Sequence, residues 1–488
     1  MPAPRSRWLL GGFALLMTAV VIVLQRVDVI EWMRSPGPAV AAATEGSVEP
    51  PSESDPALIS ARIFAKWNAY QPLPPAIAES NVLGPMRAAA SGPADELRVA
   101  MMEAEFLGAE KARERVEKAA AALGNDAPLS ADARTLLRIY ARAGGKAGAG
   151  GADAGAAGDG GPSDADLGAL RAHHGWFGRL ACTFGRDARD AERAAVVGGG
   201  ERLLAFFMFV ALAGAGVVVL ALGLAVTALA LGLGGHLGRA FARPSREERS
   251  SALGGVFLET YTLFVCGFAA LKVGSELLAN FAPGWAWATL LMQWALMATL
   301  FWPLLRGLGW RAWRERAGWH AGRGVLIEMA MGVLGYLALL PIFIGGVLTA
   351  VLLVLLQALA RRMTGSPPEP PPSNRVFDLV AGGSSLTVAL LFMLATIWAP
   401  VVEETIFRGS LFRHLRGRFG LVTSALATAA MFALVHPYPM LLIPPVAALG
   451  FMFALLREWR GSLIGPMAAH GLHNATVLTV VLTAISLI

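Results

Sequence analysis

The chain is short of charge. Only 16% of its 488 residues are Asp, Glu, Lys or Arg, against about 25% in a soluble domain. With 55% hydrophobic residues and a mean hydropathy of +0.54, that scarcity excludes a soluble globular protein and indicates an integral membrane one. Cysteine is almost missing too. Cys182 and Cys266 are too few for a disulfide framework, and Cys266, inside an apolar run, reads as a small buried hydrophobe. There is no HExxH pair and no internal repeat. The net charge of +6 does not imply nucleic acid, because the arginines gather beside apolar runs, where the positive-inside bias puts them.

What is present falls into blocks. Arg5 and Arg7 precede an apolar run from Trp8 to Leu24 that is long for a signal-peptide core. The small residues Ala39 to Ala43 lie too far beyond it for cleavage. Residues 1–26 therefore read as an uncleaved anchor with a cytoplasmic start, in a bacterial cytoplasmic (inner) membrane, and the polar segment 27–200 is expected to be exported. Within that segment Ala39 to Pro56 is a linker. Asp55 to Lys66 and Ala94 to Arg142 carry helical periodicity with mixed charge, as in a small helical bundle. Residues 143–162, nearly all Gly, Ala and Asp, cannot bury a core and read as a linker. A short amphipathic helix is expected around Leu167 to Phe184; its His173 and His174 should face different sides, which argues against a metal site. The segment is expected to recruit substrate or a partner membrane protein.

Residues 201–363 hold accessory apolar runs, Leu203 to Leu233, Leu253 to Phe281, Trp287 to Leu305 and Val325 to Leu359. The last exceeds the roughly 20 residues one span needs, and with Pro341 and Gly345-Gly346 it predicts two tight helices or one long bent one. Trp310, Trp313 and Trp319 among arginines suggest an interfacial amphipathic helix. Residues 364–376 are a Pro-rich linker. Residues 377–488 add four spans: Phe377 to Val402, Leu421 to His436, Met440 to Leu456 and Leu463 to Leu487. The expected fold is all-α, a polytopic membrane helix bundle of about nine or ten transmembrane helices with an N-terminal anchor and a small helical polar domain. Reading Val325 to Leu359 as one span puts the arginines between Arg408 and Arg418 on the cytoplasmic side; reading it as two puts them outside.

Ionisable groups recur in the last block, where each costs several kcal/mol at bilayer depth and so defaults to a functional hypothesis. Glu404 and Arg408 are spaced i, i+4 and can pair on a helix. Glu403 has no sequence-local partner, and a carboxyl in apolar surroundings is suited to taking and giving protons. Phe432 and His436 repeat the i, i+4 spacing, as do His470 and Asn474, with His473 flanking. The set has the parts of a water-activating hydrolytic site: Glu403 with His436 to deprotonate water, and His470 with Asn474 to donate to an oxyanion. The same side chains suit a metal such as zinc with Glu403, His436 and His470 as ligands and an open water position. The bland alternative for Glu404 and Arg408 is a buried charge network that only locks helices together.

Glu403-Glu404-x-x-x-Arg408, Phe432-x-x-x-His436 and His470-x-x-x-Asn474, in this order on successive apolar segments, resemble the CAAX prenyl protease / bacteriocin-processing (CPBP, type II CAAX protease-like) family. The resemblance covers roughly Phe377 to Leu487, with Pro400, Gly409 and Gly461-Ser462-Leu463 also fitting. It implies an intramembrane endopeptidase in which Glu403 and His436 activate water, His470 and Asn474 stabilise the oxyanion, and Glu404 and Arg408 support the site. It leaves open whether the mechanism is of the glutamate type or depends on one divalent metal. The insertion at 27–200 and the Pro437-Tyr438-Pro439 turn depart from the family pattern. The expected partner is a peptide or protein substrate at the membrane, not necessarily prenylated. The competing readings are a non-catalytic membrane scaffold or immunity/regulatory protein, and a transporter. The transporter would call for a matching polar set in the first half, where Glu328 stands alone in its run.

Overall fold

The computed structural model describes residues 4–25, 50–52, 55–123, 127–148, 161–236, 241, 255–281, 285, 288–365, 380 and 383–488. Most of the expected linkers at Ala39 to Pro56, 143–162 and 364–376 fall outside these residues. Among them there are helices and no strands. By internal contacts the chain divides into two compact units, one drawn from 1–39, 212–360 and 384–480, the other from 40–211, 361–383 and 481–488.

The second unit is the helical bundle foreseen in the polar segment. Its helices include α2 (Pro56–Tyr70), α3 (Pro93–Leu107), α4 (Ala109–Ala122), α5 (Ala127–Gly148), α6 (Asp164–His174) and α7 (Trp176–Cys182), after the N-terminal apolar helix α1 (Pro4–Leu24) of the first unit. Local signals set their ends. Asp55 accepts from the Ala57 amide with proline at the first turn, and Ser163 with Asp166 forms a capping box. Leu97, Met101, Leu136 and Leu170 are buried completely, each worth about 1.5–3 kcal/mol. Where the sequence suggested one helix over Leu167 to Phe184, the chain breaks at Gly175, whose φ of +57° places it where a side chain is strained. His173 and His174 do not diverge as expected. Both reach the buried Asp132, at 2.7 and 3.3 Å, because His174 ends its helix and the rings offer different nitrogens to one oxygen.

Among the described residues seven helices are long and apolar enough to cross a membrane, which with the shorter apolar helices Leu9–Leu24 and Leu421–Leu434 matches the lower expected count. These are α8 (Gly200–Leu233), α9 (Val256–Phe281), α10 (Ala288–Leu305), α12 (Val325–Thr364), α13 (Ser385–Arg416), α15 (Ile443–Arg460) and α16 (Ile464–Ser486), while α14 is Leu421–Leu434. The run at 325–364 is one continuous 40-residue helix with Pro341 inside it, not two. The amphipathic helix α11 (Trp310–Ala317) is present, and Trp313 faces the protein interior. It is buried against Phe257, Leu304 and Leu308, and stacks between Trp310 and Trp319.

Two glycine contacts close the bundle. A Cβ on Gly332 of α12 would fall 2.2 Å from the Gly465 carbonyl of α16, and one on Gly450 of α15 would meet Ala429 and Phe432 of α14 at 3.0 and 3.1 Å. These close approaches set α16 against α12 and α14 against α15.

Candidate active site

Glu403 and Glu404 sit where α13 stops being a regular α-helix. The segments Leu394–Trp398 and Glu404–Phe412 are π-helical, a geometry that recurs at functional sites. The first has a cause in the sequence. The Ala399 amide reaches back to the Leu394 carbonyl and Pro400 has no amide hydrogen, so the Ala395 carbonyl loses both of its usual helical partners. Asn474 supplies the replacement, donating from Nδ2 to Ala395 O at 2.7 Å.

Glu404 is fully buried, and one of its oxygens, Oε1, accepts both from Arg408 Nη1 at 2.8 Å and from His470 Nδ1 at 3.0 Å. Arg408, equally buried, donates from Nη2 to the Gly450 carbonyl at 2.9 Å, a contact the bare Gly450 backbone makes reachable. Its guanidinium lies 4.4, 5.2 and 5.9 Å from the ring centroids of Phe432, Phe453 and Phe407. Three π-faces thus surround a charge that water cannot reach.

The imidazoles are oriented by the same logic. His436 Nδ1 lies 2.6 Å from the Phe432 carbonyl, which can only accept, so Nδ1 carries the proton and Nε2 is free. Phe432 packs edge-on beneath the ring at 4.6 Å and Tyr438 stacks parallel to it at 5.7 Å. His470, with Nδ1 committed to Glu404, stacks on Phe453 at 5.0 Å. Both free Nε2 atoms face Glu403 Oε2, at 3.8 Å from His436 and 3.9 Å from His470. Glu403 Oε2 is buried and has no hydrogen-bond partner. The arrangement can hold a polarised water against one carboxylate and two imidazoles.

Glu403, Glu404, Arg408, His436 and His470 thus lie in one cluster, while Asn474 bonds the backbone of α13 at Ala395. His473 belongs elsewhere: its Nδ1 bonds the Tyr336 hydroxyl of α12 at 2.9 Å. Among the described residues no group of three or more His, Cys, Asp or Glu side chains is arranged to hold a metal ion. Phe453, Tyr438, Gly450 and Ala395 were not foreseen as part of the site. Only the Gly450/Phe453 i, i+3 spacing and the Pro437-Tyr438-Pro439 turn could have hinted at them. Nor does Glu328 stand alone, since Arg460 of α15 donates to both its oxygens at 2.8 Å.

Residues 385–476 match the family model described as Type II CAAX prenyl endopeptidase Rce1-like. This is the family that the three motifs resemble, and the matched stretch contains every one of them. No curated protein and no solved structure matches the chain. The match covers 385–476, under half of the chain, and the apolar helices support an integral membrane protein.

Proposed function

We propose that the chain is an intramembrane endopeptidase that hydrolyses a peptide bond of a membrane-associated or C-terminal peptide, with water activated by Glu403 and His436. The observation that carries this reading is the unpartnered Glu403 Oε2 facing two free imidazole nitrogens at 3.8 and 3.9 Å, separations that one bridging water spans. A group serving only to lock helices would be paired, as Glu404 is through Oε1 and Glu328 through both oxygens.

In this mechanism the water oxygen attacks the carbonyl carbon while its proton passes to Glu403, with His436 Nε2 holding the water in line. The oxyanion accepts from His470, whose ring Glu404 orients, and from the second Nδ2 hydrogen of Asn474. Collapse breaks the C–N bond, and Glu403 returns the proton to the leaving amine. The metal alternative requires Glu403, His436 and His470 to act as ligands instead.

With α12 as one helix, alternation from a cytoplasmic N-terminus places the basic connections at 234–254, 306–323, 413–420 and 457–463 all on the cytoplasmic side. It places 27–200 on the exported side of a bacterial inner membrane, where the bundle would recruit substrate or a partner membrane protein. Contacts such as Arg413 Nη1 to Arg316 O and Arg457 Nη2 to Ala317 O support a common side for three of those connections.

The test is hydrolysis of prenylated and unprenylated peptide libraries by the full chain in liposomes, followed by mass spectrometry. Glu403→Gln and His436→Ala are each expected to lose at least about 100-fold in kcat. Activity that persists in chelator supports Glu403 as the base, whereas chelator loss restored by zinc supports the metal reading. Hydrolysis as fast in both mutants as in the parent would overturn the roles of Glu403 and His436, and full biological activity of both mutants in cells would leave the scaffold reading in its place.

A further inference from the structure

The segment that ties the Glu403/Glu404 helix to the His470 helix lies outside the matched stretch. It is the end of α11 and the residues after it, Arg316 to His320. On one side it grips the turn that launches α16. The Leu463 amide donates to the Gly318 carbonyl at 2.9 Å, His320 Nε2 bonds the Gly461 carbonyl at 3.0 Å, and Ser462 Oγ donates to the His320 carbonyl at 2.7 Å. On the other side it grips α13. Trp319 Nε1 donates to Thr405 Oγ1 at 3.0 Å, and Thr405 Oγ1 in turn donates to the Val401 carbonyl at 2.6 Å. Thr405 directly follows Glu404 and is buried, as is Ser462. The backbones close up as well, since a Cβ on Gly409 would stand 3.1 Å from the Ala317 carbonyl.

A five-residue strap thus holds both helices whose side chains meet at the 3.0 Å contact between Glu404 and His470. Sliding α13 against α16 by one ångström would lengthen that contact, and misplacement on this scale is costly in catalysis. Stacking on Trp313 at 6.0 Å fixes the Trp319 ring, so its N–H arrives preset.

We propose that Trp319 is a positioning residue, which through Thr405 sets the register of the Glu403/Glu404 helix against the His470 helix. The proposal rests on the endopeptidase reading for its catalytic consequence, but not for the strap itself. The experiment compares Trp319→Phe, Thr405→Val and the double variant in the full chain. Two readouts are followed, peptide hydrolysis in liposomes and amide hydrogen exchange across 461–470.

Each single variant is expected to lose about five- to tenfold in kcat, the worth of one buried hydrogen bond, with KM unchanged. The double variant should lose no more than either single, and exchange at 461–470 should rise in all three. Unchanged kcat, multiplying losses or unchanged exchange would overturn the proposal. If Trp319→Phe fails to fold, the smaller Thr405→Val change still decides. Should the parent hydrolyse no peptide, the endopeptidase reading fails, while the exchange measurement judges the strap independently.

Discussion

His470 and Arg408 share one oxygen of Glu404, the imidazole at 3.0 Å and the guanidinium at 2.8 Å. That carboxylate therefore neutralises a cation that water cannot reach and orients a ring that faces Glu403. Glu404→Leu strands the buried charge of Arg408, a loss of about 3–5 kcal/mol, expected as a sharp fall in the thermal unfolding midpoint in detergent. Adding Arg408→Met should restore much of the stability without restoring hydrolysis, because His470 remains unoriented. Full activity in the restored double variant would disprove the orienting role.

Asn474 and Pro400 are predicted to be energetically coupled. Asn474 satisfies the Ala395 carbonyl that Pro400 leaves without a donor, so Asn474→Ala should cost about 1–3 kcal/mol of stability. In a Pro400→Ala background the backbone regains an amide hydrogen and the same substitution should cost clearly less. A double-mutant cycle read by denaturant or thermal unfolding checks this; strict additivity would show that Asn474 is held for some other reason.

Glu328 and Arg460 pin α12 to α15 across the bundle, with the Arg323 amide adding a third bond at 3.1 Å. Glu328 is 1% exposed. Glu328→Ala is expected to destabilise strongly by leaving Arg460 without its partner, and Arg460→Met in the same chain to recover part of the loss. The unfolding midpoints of the two variants and their combination give the coupling. A midpoint for Glu328→Ala equal to the parent's would remove the pin from the account.

The polar bundle should weaken in acid. Burial pushes His174 below its ordinary 6.5, only partly offset by Asp132. The unfolded chain thus binds a proton at a pH where the folded one does not, and stability falls as pH drops below about 6.5. For Asp132 burial acts upward, but hydrogen bonds from His174 and His173 outweigh it and hold the carboxyl below 3.8, so a second loss follows as pH falls through that range. Amide exchange in α5 and α6 is expected to quicken between pH of about 7 and 5. His174→Gln should flatten that part of the profile, and an unaltered profile in this variant would assign the effect to other groups.

The reading of the fold followed from local pattern. Apolar runs of spanning length foretold the membrane helices, and helical periodicity over Asp55 to Lys66 and Ala94 to Arg142 foretold the polar bundle. What depended on distant residues stayed open. Pro341 and Gly345-Gly346 allowed two helices or one, and α12 is one. The cover over Trp313 comes from Phe257, nearly sixty positions earlier.

The sequence by itself determined which side chains bring charge and hydrogen-bonding capacity into an apolar bundle, and the i, i+4 spacing that pairs Glu404 with Arg408. Helical periodicity and the cost of an ionisable group in lipid depend only on the neighbouring residues. The tertiary structure alone decided the partners at long range: Glu404 with His470 across 66 positions, Trp319 with Thr405 across 86, Glu328 with Arg460 across 132. A buried charge must find a counter-group, but several are within the chain's reach. Helix packing selects which one arrives, and at Gly332 and Gly450 that packing needs a backbone without a side chain.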